Sequence, residues 1–66
     1  MHNKTDTERL RWMIGKQPEF DHHVSEGKIV QFWVRWFEGS YWRIAYGDSE
    51  SECIDNALAG KYEEIR

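Results

Sequence analysis

Residues 28–47 constrain the fold of this chain most strongly, because they combine a strand-like alternation with most of its large side chains. The stretch reads KIVQFWVRWFEGSYWRIAYG and holds seven of the ten aromatic residues. Its even positions are apolar from Val30 to Trp36, which is the period of a half-buried β-strand. The same period returns in Trp42, Ile44 and Tyr46. Two antiparallel strands rich in aromatic residues are therefore predicted at the centre of the fold.

The loop between these two strands decides which side chains share a face. Directly opposed residues lie on the same face of a sheet, and side chains alternate along each strand. Placing both apolar sets on the core face requires a loop with an odd number of residues, so we predict a three-residue loop at 38–40. The predicted core-face pairs are Trp36 with Trp42, Val34 with Ile44 and Phe32 with Tyr46. The predicted outer-face pairs are Phe37 with Tyr41, Arg35 with Arg43 and Trp33 with Ala45.

The residues before this stretch predict a further strand. The segment EFDHHV, at 19–24, alternates Phe20, His22 and Val24 with Asp21 and His23, which is the period of a strand. A loop at 25–27 follows, and its last residue, Gly27, stands where a three-residue hairpin loop needs a left-handed conformation. That loop pairs Phe20 with Phe32 and extends the sheet to three antiparallel strands.

Both ends of the chain predict helices. Two pairs of residues have the spacing of a capping box, namely Thr5 with Glu8 and Ser49 with Glu52. The first helix is predicted at about 6–15, with Trp12 half covered at its side. The predicted C-terminal caps are Gly15 and Gly60. The predicted buried stripes are Leu10, Met13 and Ile14 in the first helix, and Ile54, Ala57 and Leu58 in the second, with Cys53 at the edge.

Together these elements predict an α+β fold with two layers, in the order α-β-β-β-α. Each helix has an apolar stripe to bury, so we expect both to cover one face of the three-stranded antiparallel sheet. We expect residues 1–66 to form a single domain, with 1–4 and 61–66 flexible. Tyr62 is able to fold back onto the core. The other face of the sheet is left open.

The open face is the predicted interaction surface. Aromatic and arginine side chains dominate binding hot spots, because they combine large buried areas with specific hydrogen bonds. Arg35 opposite Arg43 would destabilise the sheet unless a partner, an acid or an aromatic ring receives the charges. The alternative is that cross-strand aromatic pairs only stabilise a solvent-facing sheet. The predicted partner-binding residues are Trp33, Arg35, Tyr41, Arg43, Gln31, Phe37 and Trp12.

A second charged surface is predicted at the start of the second helix. It consists of an acidic row formed by Asp48, Glu50, Glu52 and Asp55. Such a row is typical of a solvated helix face near the N-terminus, where acids complement the helix dipole. The alternative is a surface that imitates nucleic-acid charge or docks on a basic partner.

The sequence contains no catalytic, metal or cofactor motif. Cys53 lies among acidic residues, which raise the pKa of a thiol and so oppose nucleophilic chemistry. His22 and His23 are adjacent in a predicted strand and point to opposite faces, so they do not bind one metal ion together. We therefore expect a non-enzymatic protein with no cofactor and no metal.

Charge and cysteine content favour a cytoplasmic protein that is not a general nucleic-acid binder. The net charge is −3, whereas phosphate binding depends on a dense basic footprint. The element order resembles that of the double-stranded-RNA-binding domain, but the second helix begins with acids where that family presents lysines. The lone Cys53 forms no intramolecular disulfide, which indicates a reducing compartment. No apolar run of transmembrane length is present.

Two short stretches, TDTERLRWM at 5–13 and CIDNAL at 53–58, together resemble the ends of small uncharacterised proteins encoded by phages and prophages. In that group a Thr-Glu-Arg-Leu-x-Trp start precedes a variable strand region and a terminal helix with Ala-Ile-Asp-x-Ala. Cys53 stands where alanine is common. The resemblance implies a protein of the host-cell cytoplasm that binds and inhibits or modulates a host protein or complex, including defence systems such as CRISPR effectors. Two alternatives stay open: a homodimer paired through the open sheet face, and a nucleic-acid-binding module.

Overall fold

The computed structural model describes residues 6–65, which form an α+β fold of two helices and a four-stranded antiparallel sheet. The elements are α1 (Asp6–Lys16), β1 (Glu19–Ser25), β2 (Lys28–Glu38), β3 (Tyr41–Gly47), α2 (Glu50–Leu58) and β4 (Glu63–Ile65). The predicted α+β class with an antiparallel sheet is confirmed. The three-strand count is wrong, because residues 63–65 pair with β3 as a fourth strand. The predicted cap at Thr5 and the predicted flexible residues 1–4 lie outside the described residues.

Both helices pack on the same face of the sheet. The buried core on that face consists of Val34, Trp36, Ala45, Cys53 and Ala57. Partly buried against it are Trp12, Phe20 and Phe32. The Trp36 ring lies at the centre of this packing, with the rings of Trp12 and Tyr62 edge-on to it at centroid distances of 5.0 and 5.3 Å. Both α1 and the segment before β4 therefore close over one tryptophan.

The turn between β2 and β3 has two residues instead of the predicted three. Glu38 pairs with Tyr41, and between them Gly39 takes a left-handed φ of 66°. A glycine with positive φ followed by a residue with negative φ is a type II′ turn, whose twist matches that of paired strands. This turn fixes a register in which Val34 lies opposite Ala45.

The shorter turn reverses the predicted sidedness of β3. Arg43 lies opposite Trp36, on the face that the helices cover. The predicted placement of Arg43 on the outer face is therefore wrong. Three residues that the sequence predicts for the core lie on the bare face instead: Trp42, Ile44 and Tyr46.

The turn between β1 and β2 also has two residues. Glu26 and Gly27 have φ angles of 55° and 78°, and two successive left-handed residues define a type I′ turn. Ser25 pairs with Lys28 on either side of it. The predicted three-residue loop is wrong, because a two-residue turn of this type follows the strand twist more closely.

A turn shorter by one residue would move the side chains of β1 to the opposite face, and a bulge in β2 prevents this. Val30 is the extra residue, since the residues on either side of it pair with successive residues of β1. Phe20 thereby stays on the core face, but it opposes Val34 rather than the predicted Phe32. Residues 21–31 are all exposed, so the far end of this hairpin extends beyond the cover of the helices.

The side of α1 that faces the sheet is not the apolar stripe predicted from the sequence. Leu10 and Ile14 are 54% and 68% exposed. Trp12 is partly buried against the core, as predicted. Arg9 donates two hydrogen bonds of 2.9 Å to the Asp55 carboxylate of α2. One aromatic ring and one bidentate ion pair therefore hold the middle of α1 against the rest of the fold.

Helix α1 also ends at Lys16 rather than at the predicted cap, Gly15. Gln17 takes the left-handed conformation, with φ of 49°, and its N–H donates to the Met13 carbonyl at 2.8 Å. Pro18 follows and lacks the N–H that a further helical turn would use. The chain is thereby directed into β1.

Helix α2 is capped at both ends as the sequence predicts. The Ser49 hydroxyl accepts from the Glu52 N–H at 3.1 Å, and the Glu52 carboxylate accepts at 2.9 Å from the backbone N–H that precedes the cap. At the other end Gly60, with φ of 80°, and Lys61 donate their N–H groups to carbonyls of the last turn, which is a Schellman motif. Cys53, predicted at the edge of the buried stripe, is fully buried.

A cluster of ion pairs closes one end of the helix-covered face. The Glu38 carboxylate accepts hydrogen bonds from Lys16 of α1 and, at 2.6 Å, from Arg43 of β3. Arg43 also donates to Glu64 of β4 at 3.2 Å. The hydrogen bond from Lys16, followed by one from the Trp36 indole, lowers the pKa of Glu38. The cluster therefore joins one helix and three strands.

Candidate interaction surface

The face of the sheet that carries no helix presents a continuous apolar and aromatic surface around one arginine. We name this set the outer aromatic face, and its members are Trp33, Arg35, Phe37, Trp42, Ile44, Tyr46 and Ile65. Strand β2 contributes the first three, β3 the next three, and β4 the last through the pairing of Trp42 with Ile65. Alternation along each strand places them all on the side opposite the helices.

Cross-strand ring contacts hold the aromatic side chains of this face. Trp33 opposes Tyr46 with ring centroids 6.4 Å apart, and Phe37 opposes Trp42 at 5.5 Å. Both pairs meet edge to face, at interplanar angles of 62° and 66°. Such contacts are worth about 0.5–1.5 kcal/mol beyond the area they bury. The rings are therefore ordered before any partner arrives.

Arg35 lies in the middle of this face and is held by a neighbouring strand. Its guanidinium donates to the Glu19 carboxylate of β1 at 2.8 Å and lies 5.1 Å from the centroid of the Trp42 ring. The predicted opposition of Arg35 and Arg43 is wrong, because Arg35 opposes Ile44 on β3. The like-charge repulsion expected from the sequence does not arise, since an acid and an aromatic ring of the same chain already receive the charge.

The outer aromatic face is buried at its centre and exposed at its margins. Ile44 is only 9% exposed although it lies on the side that neither α1 nor α2 covers. Phe37 is 54% exposed, and Trp42, Tyr46 and Ile65 are each more than one third exposed. Contiguous exposed apolar groups rimmed by polar residues are typical of interaction sites.

The charged side chains that border this face are mostly acidic. Glu19 and Asp21 of β1 and Glu63 of β4 lie on the same side of the sheet by register. Against these carboxylates stand Arg35, whose charge Glu19 already neutralises, and Lys28, which lies farther along the same side through its pairing with Ser25. A partner with basic side chains around an apolar patch is therefore electrostatically complementary to this face.

The predicted partner-binding residues fall on both sides of the sheet. Those on the bare side are Gln31, Trp33, Arg35 and Phe37. Tyr41 and Arg43 lie on the helix-covered side, because they oppose Glu38 and Trp36. Trp12 belongs to α1 and packs against Trp36 there. The predicted set therefore does not form one surface.

Sequence reasoning missed four members of the outer aromatic face: Trp42, Ile44, Tyr46 and Ile65. The signal for the first three is Gly39 followed by Ser40, because glycine then serine between two alternating runs indicates a two-residue hairpin turn. Read that way, the turn places Trp42 beside Phe37. Ile65 has no comparable signal, since β4 is three residues long and too short to show a period.

The acidic start of α2 is used largely within the chain. Asp55 binds Arg9, and Glu52 completes the helix cap. A groove of about 430 Å³ lies between this helix, α1 and β1. Its apolar lining is formed by Leu10, Met13, Phe20 and Ile54. It lies on the opposite side of the sheet from the outer aromatic face.

Cys53 belongs to the core rather than to a reactive site. Burial raises the pKa of its thiol to about 11, and the carboxylates of Glu52 and Glu50 add to the effect. The thiol is therefore protonated at neutral pH. Among residues 6–65, no group of three or more His, Cys, Asp or Glu side chains is placed to hold a metal ion. Neither helix in that range has the length and apolar character needed to cross a membrane.

No protein-family model, curated protein or solved structure matches this chain.

Proposed function

We propose that this chain is a small, non-enzymatic binding protein that docks on a protein partner through its outer aromatic face. The observation that carries the proposal is the exposure of Phe37, Trp42, Tyr46 and Ile65 on the side that α1 and α2 leave bare. These side chains are large, and cross-strand ring contacts already restrict Phe37, Trp42 and Tyr46. A partner thus gains contact area with little further loss of rotamer freedom.

The proposed setting is the cytoplasm of a bacterial host. The resemblance of residues 5–13 and 53–58 to phage and prophage accessory proteins supports a chain that binds and inhibits or modulates a host protein or complex, defence systems such as CRISPR effectors included. A protein that acts by occupying a surface needs no cofactor and no catalytic residue. Its activity is then the affinity of one face for its target.

The charges around the face favour a basic protein surface over nucleic acid as the partner. Phosphates approaching the outer aromatic face would meet the carboxylates of Glu19, Asp21 and Glu63. Affinity for nucleic acid depends on several unpaired lysine or arginine contacts, whereas Arg35 is paired with Glu19. Pairing of two copies face to face is disfavoured for the same reason, because it brings two acidic borders together.

Affinity capture from a bacterial lysate tests the proposal. The wild-type chain is compared with a variant carrying Phe37→Ala and Trp42→Ala, and retained proteins are identified by mass spectrometry and titrated in purified form. We expect a protein held by the wild type and lost by the variant. Removing two hot-spot aromatics costs at least about 2 kcal/mol, or roughly 30-fold in Kd.

A matched control removes two exposed apolar side chains from the other side of the molecule. Leu10→Ala with Ile14→Ala fits this purpose, because both residues are exposed on α1. This variant is expected to retain the partner with unchanged affinity. The proposal fails if the control loses the partner and the Phe37→Ala, Trp42→Ala variant keeps it, with urea unfolding showing that both remain folded.

A further inference from the structure

The two edges of the sheet differ in how they are protected against pairing with another chain. Strand β4 is three residues long, and a short edge strand offers little to pair with. Strand β1 spans seven residues, Glu19–Ser25, and contains neither lysine nor proline. Residues 21–25 are all exposed. Within residues 6–65 only β2 pairs with β1, so the other edge of β1 is open to the addition of a strand.

The backbone groups on this edge belong to the even-numbered residues of β1. The His22 N–H donates to the Asp21 carboxylate at 2.8 Å and is thereby turned away from β2. Because backbone groups alternate sides along an extended strand, those of Phe20 and Val24 point the same way as those of His22. An added strand must place its own outward groups opposite these three residues.

A second copy of β1 meets this requirement when it pairs antiparallel about His22. In that register His22 opposes its own copy, Phe20 opposes Val24, and Asp21 opposes His23. Two-fold symmetry makes the apolar pair and the carboxylate–imidazole pair occur twice each. Alternation places the apolar pairs on the helix side and the polar pairs on the bare side. The strand is therefore complementary to itself in side-chain chemistry as well as in backbone direction.

We propose that this chain forms a two-fold dimer in which two β1 strands pair in this register and join both sheets into one. The His22 N–H then donates to the His22 carbonyl of the second copy. The Asp21 carboxylate, released from His22, accepts from the His23 imidazole of that copy. The two-fold axis runs perpendicular to the sheet, so both outer aromatic faces lie on the same side. This inference goes beyond the proposed function and does not depend on it.

Mass measurement of the full chain in solution tests the dimer. By light scattering and sedimentation equilibrium up to about 1 mM protein, we expect the mass to rise with concentration toward twice the 8.0 kDa of the chain. Asp21→Lys sets a lysine against His23 twice in the dimer, and His23→Glu sets a glutamate against Asp21 twice. Each variant alone is expected to weaken the dimer at least about tenfold.

The register is tested by mixing the two single variants. In the mixed dimer Lys from the first variant faces Glu from the second, and the native pair of Asp21 with His23 remains at the other site. We therefore expect native mass spectrometry to detect the mixed dimer in preference to either homodimer. Circular dichroism of each variant checks that it is folded.

Three results would overturn the proposal. One is a mass of 8.0 kDa at every concentration. Another is a dimer that persists unchanged in both single variants, or that the mixture fails to restore. The third is loss of the dimer in the Phe37→Ala, Trp42→Ala variant, which would indicate pairing through the outer aromatic face. Partner capture is read separately, so failure of the dimer and failure of the proposed binding function are distinguishable.

Discussion

Gly47 determines how closely α2 approaches the sheet. A Cβ atom at this position would lie 2.8 Å from the Cys53 backbone nitrogen and 3.0 Å from the Glu52 Cβ. Gly47→Ala must therefore displace the helix from the core, and we expect it to lower the free energy of unfolding by about 1–3 kcal/mol in urea. Gly15→Ala is the control, because nothing lies within 4 Å of the added methyl. That change in α1 is expected to be neutral or to stabilise by up to about 1 kcal/mol, and equal losses in both variants would contradict the prediction.

The Cys53 thiol is protected by its position in the core. It is fully buried, and burial raises its pKa to about 11. Because the thiolate is the reactive form, alkylation by iodoacetamide at about pH 8 should be slow in the folded protein and fast in urea. The folded pKa is raised above the ordinary value of 9.0, so the stability linked to this thiol is full below that value and is lost as pH rises through the folded pKa. Labelling of the native protein at the rate of the unfolded chain would refute the prediction.

Among the elements, the β1–β2 turn contains a residue poorly suited to its conformation. Glu26 has a φ of 55°, and the left-handed conformation costs a residue with a side chain about 1–2 kcal/mol, with asparagine among the least penalised. Glu26→Asn creates the Asn-Gly pair that type I′ turns prefer. We expect the free energy of unfolding to rise by about 0.5–1 kcal/mol. Ser40→Asn is the control, because Ser40 lies in the other turn and has no positive φ, and it should change the free energy of unfolding little. A larger gain in stability from Ser40→Asn than from Glu26→Asn would contradict the explanation by backbone conformation.

The elements that the sequence predicted well are those with local signals. The caps of α2 depend on Ser49 and Gly60, and both act as their spacing indicates. The side of β3 was wrong because its more apolar set was assigned to the core. The structure instead places Ala45 and Arg43 there. The small side chain of Ala45 lets α2 pack closely. The Arg43 guanidinium lies at the edge of the apolar core, where it pairs with Glu38. Turn chemistry, rather than the stronger apolar pattern, decided the register.

The same distinction explains which part of the outer aromatic face could be predicted. Trp33, Arg35 and Phe37 lie on β2, whose inward positions were identified correctly, so their outward direction followed by alternation. Whether Trp42, Ile44 and Tyr46 of β3 belong to this face depended on the length of the loop between β2 and β3. The contribution of β4 could not be predicted, because a strand of three residues shows no period in the sequence.

At the scale of the whole molecule, the sheet separates the side that stabilises the fold from the side proposed to bind. The buried cluster lies between the sheet and the helices, while no element of residues 6–65 lies above the outer aromatic face. Substitutions at its exposed margins leave the buried cluster intact, but Trp42 and Tyr46 are only 37% and 39% exposed, so truncating either of them also removes cross-strand contacts. This separation is what allows a binding variant and a folding variant of the same chain to be told apart.

Glu38 makes the helix-covered side sensitive to acid. Its carboxylate accepts from Lys16 and Arg43, which joins α1 to the end of the sheet. The bond from Lys16, then that from the Trp36 indole, lowers the pKa of Glu38 below its ordinary value of 4.5. As the pH falls, the Glu38 carboxylate therefore binds a proton at a higher pH in the unfolded state than in the folded state. The stability linked to Glu38 is full above that ordinary value and is lost as pH falls through the lowered folded pKa.

Glu38→Gln should remove this acid dependence at the cost of stability near neutral pH. The amide keeps the size of the side chain but loses the charge that Lys16 and Arg43 face, so we expect a lower urea midpoint at pH 7. Between about pH 5 and pH 3 the midpoint of the variant should fall less than that of the wild type. Glu26→Gln, at an exposed turn, is the control and should follow the wild-type profile. A Glu38→Gln protein that loses stability in acid as steeply as the wild type would place the acid sensitivity elsewhere in the fold.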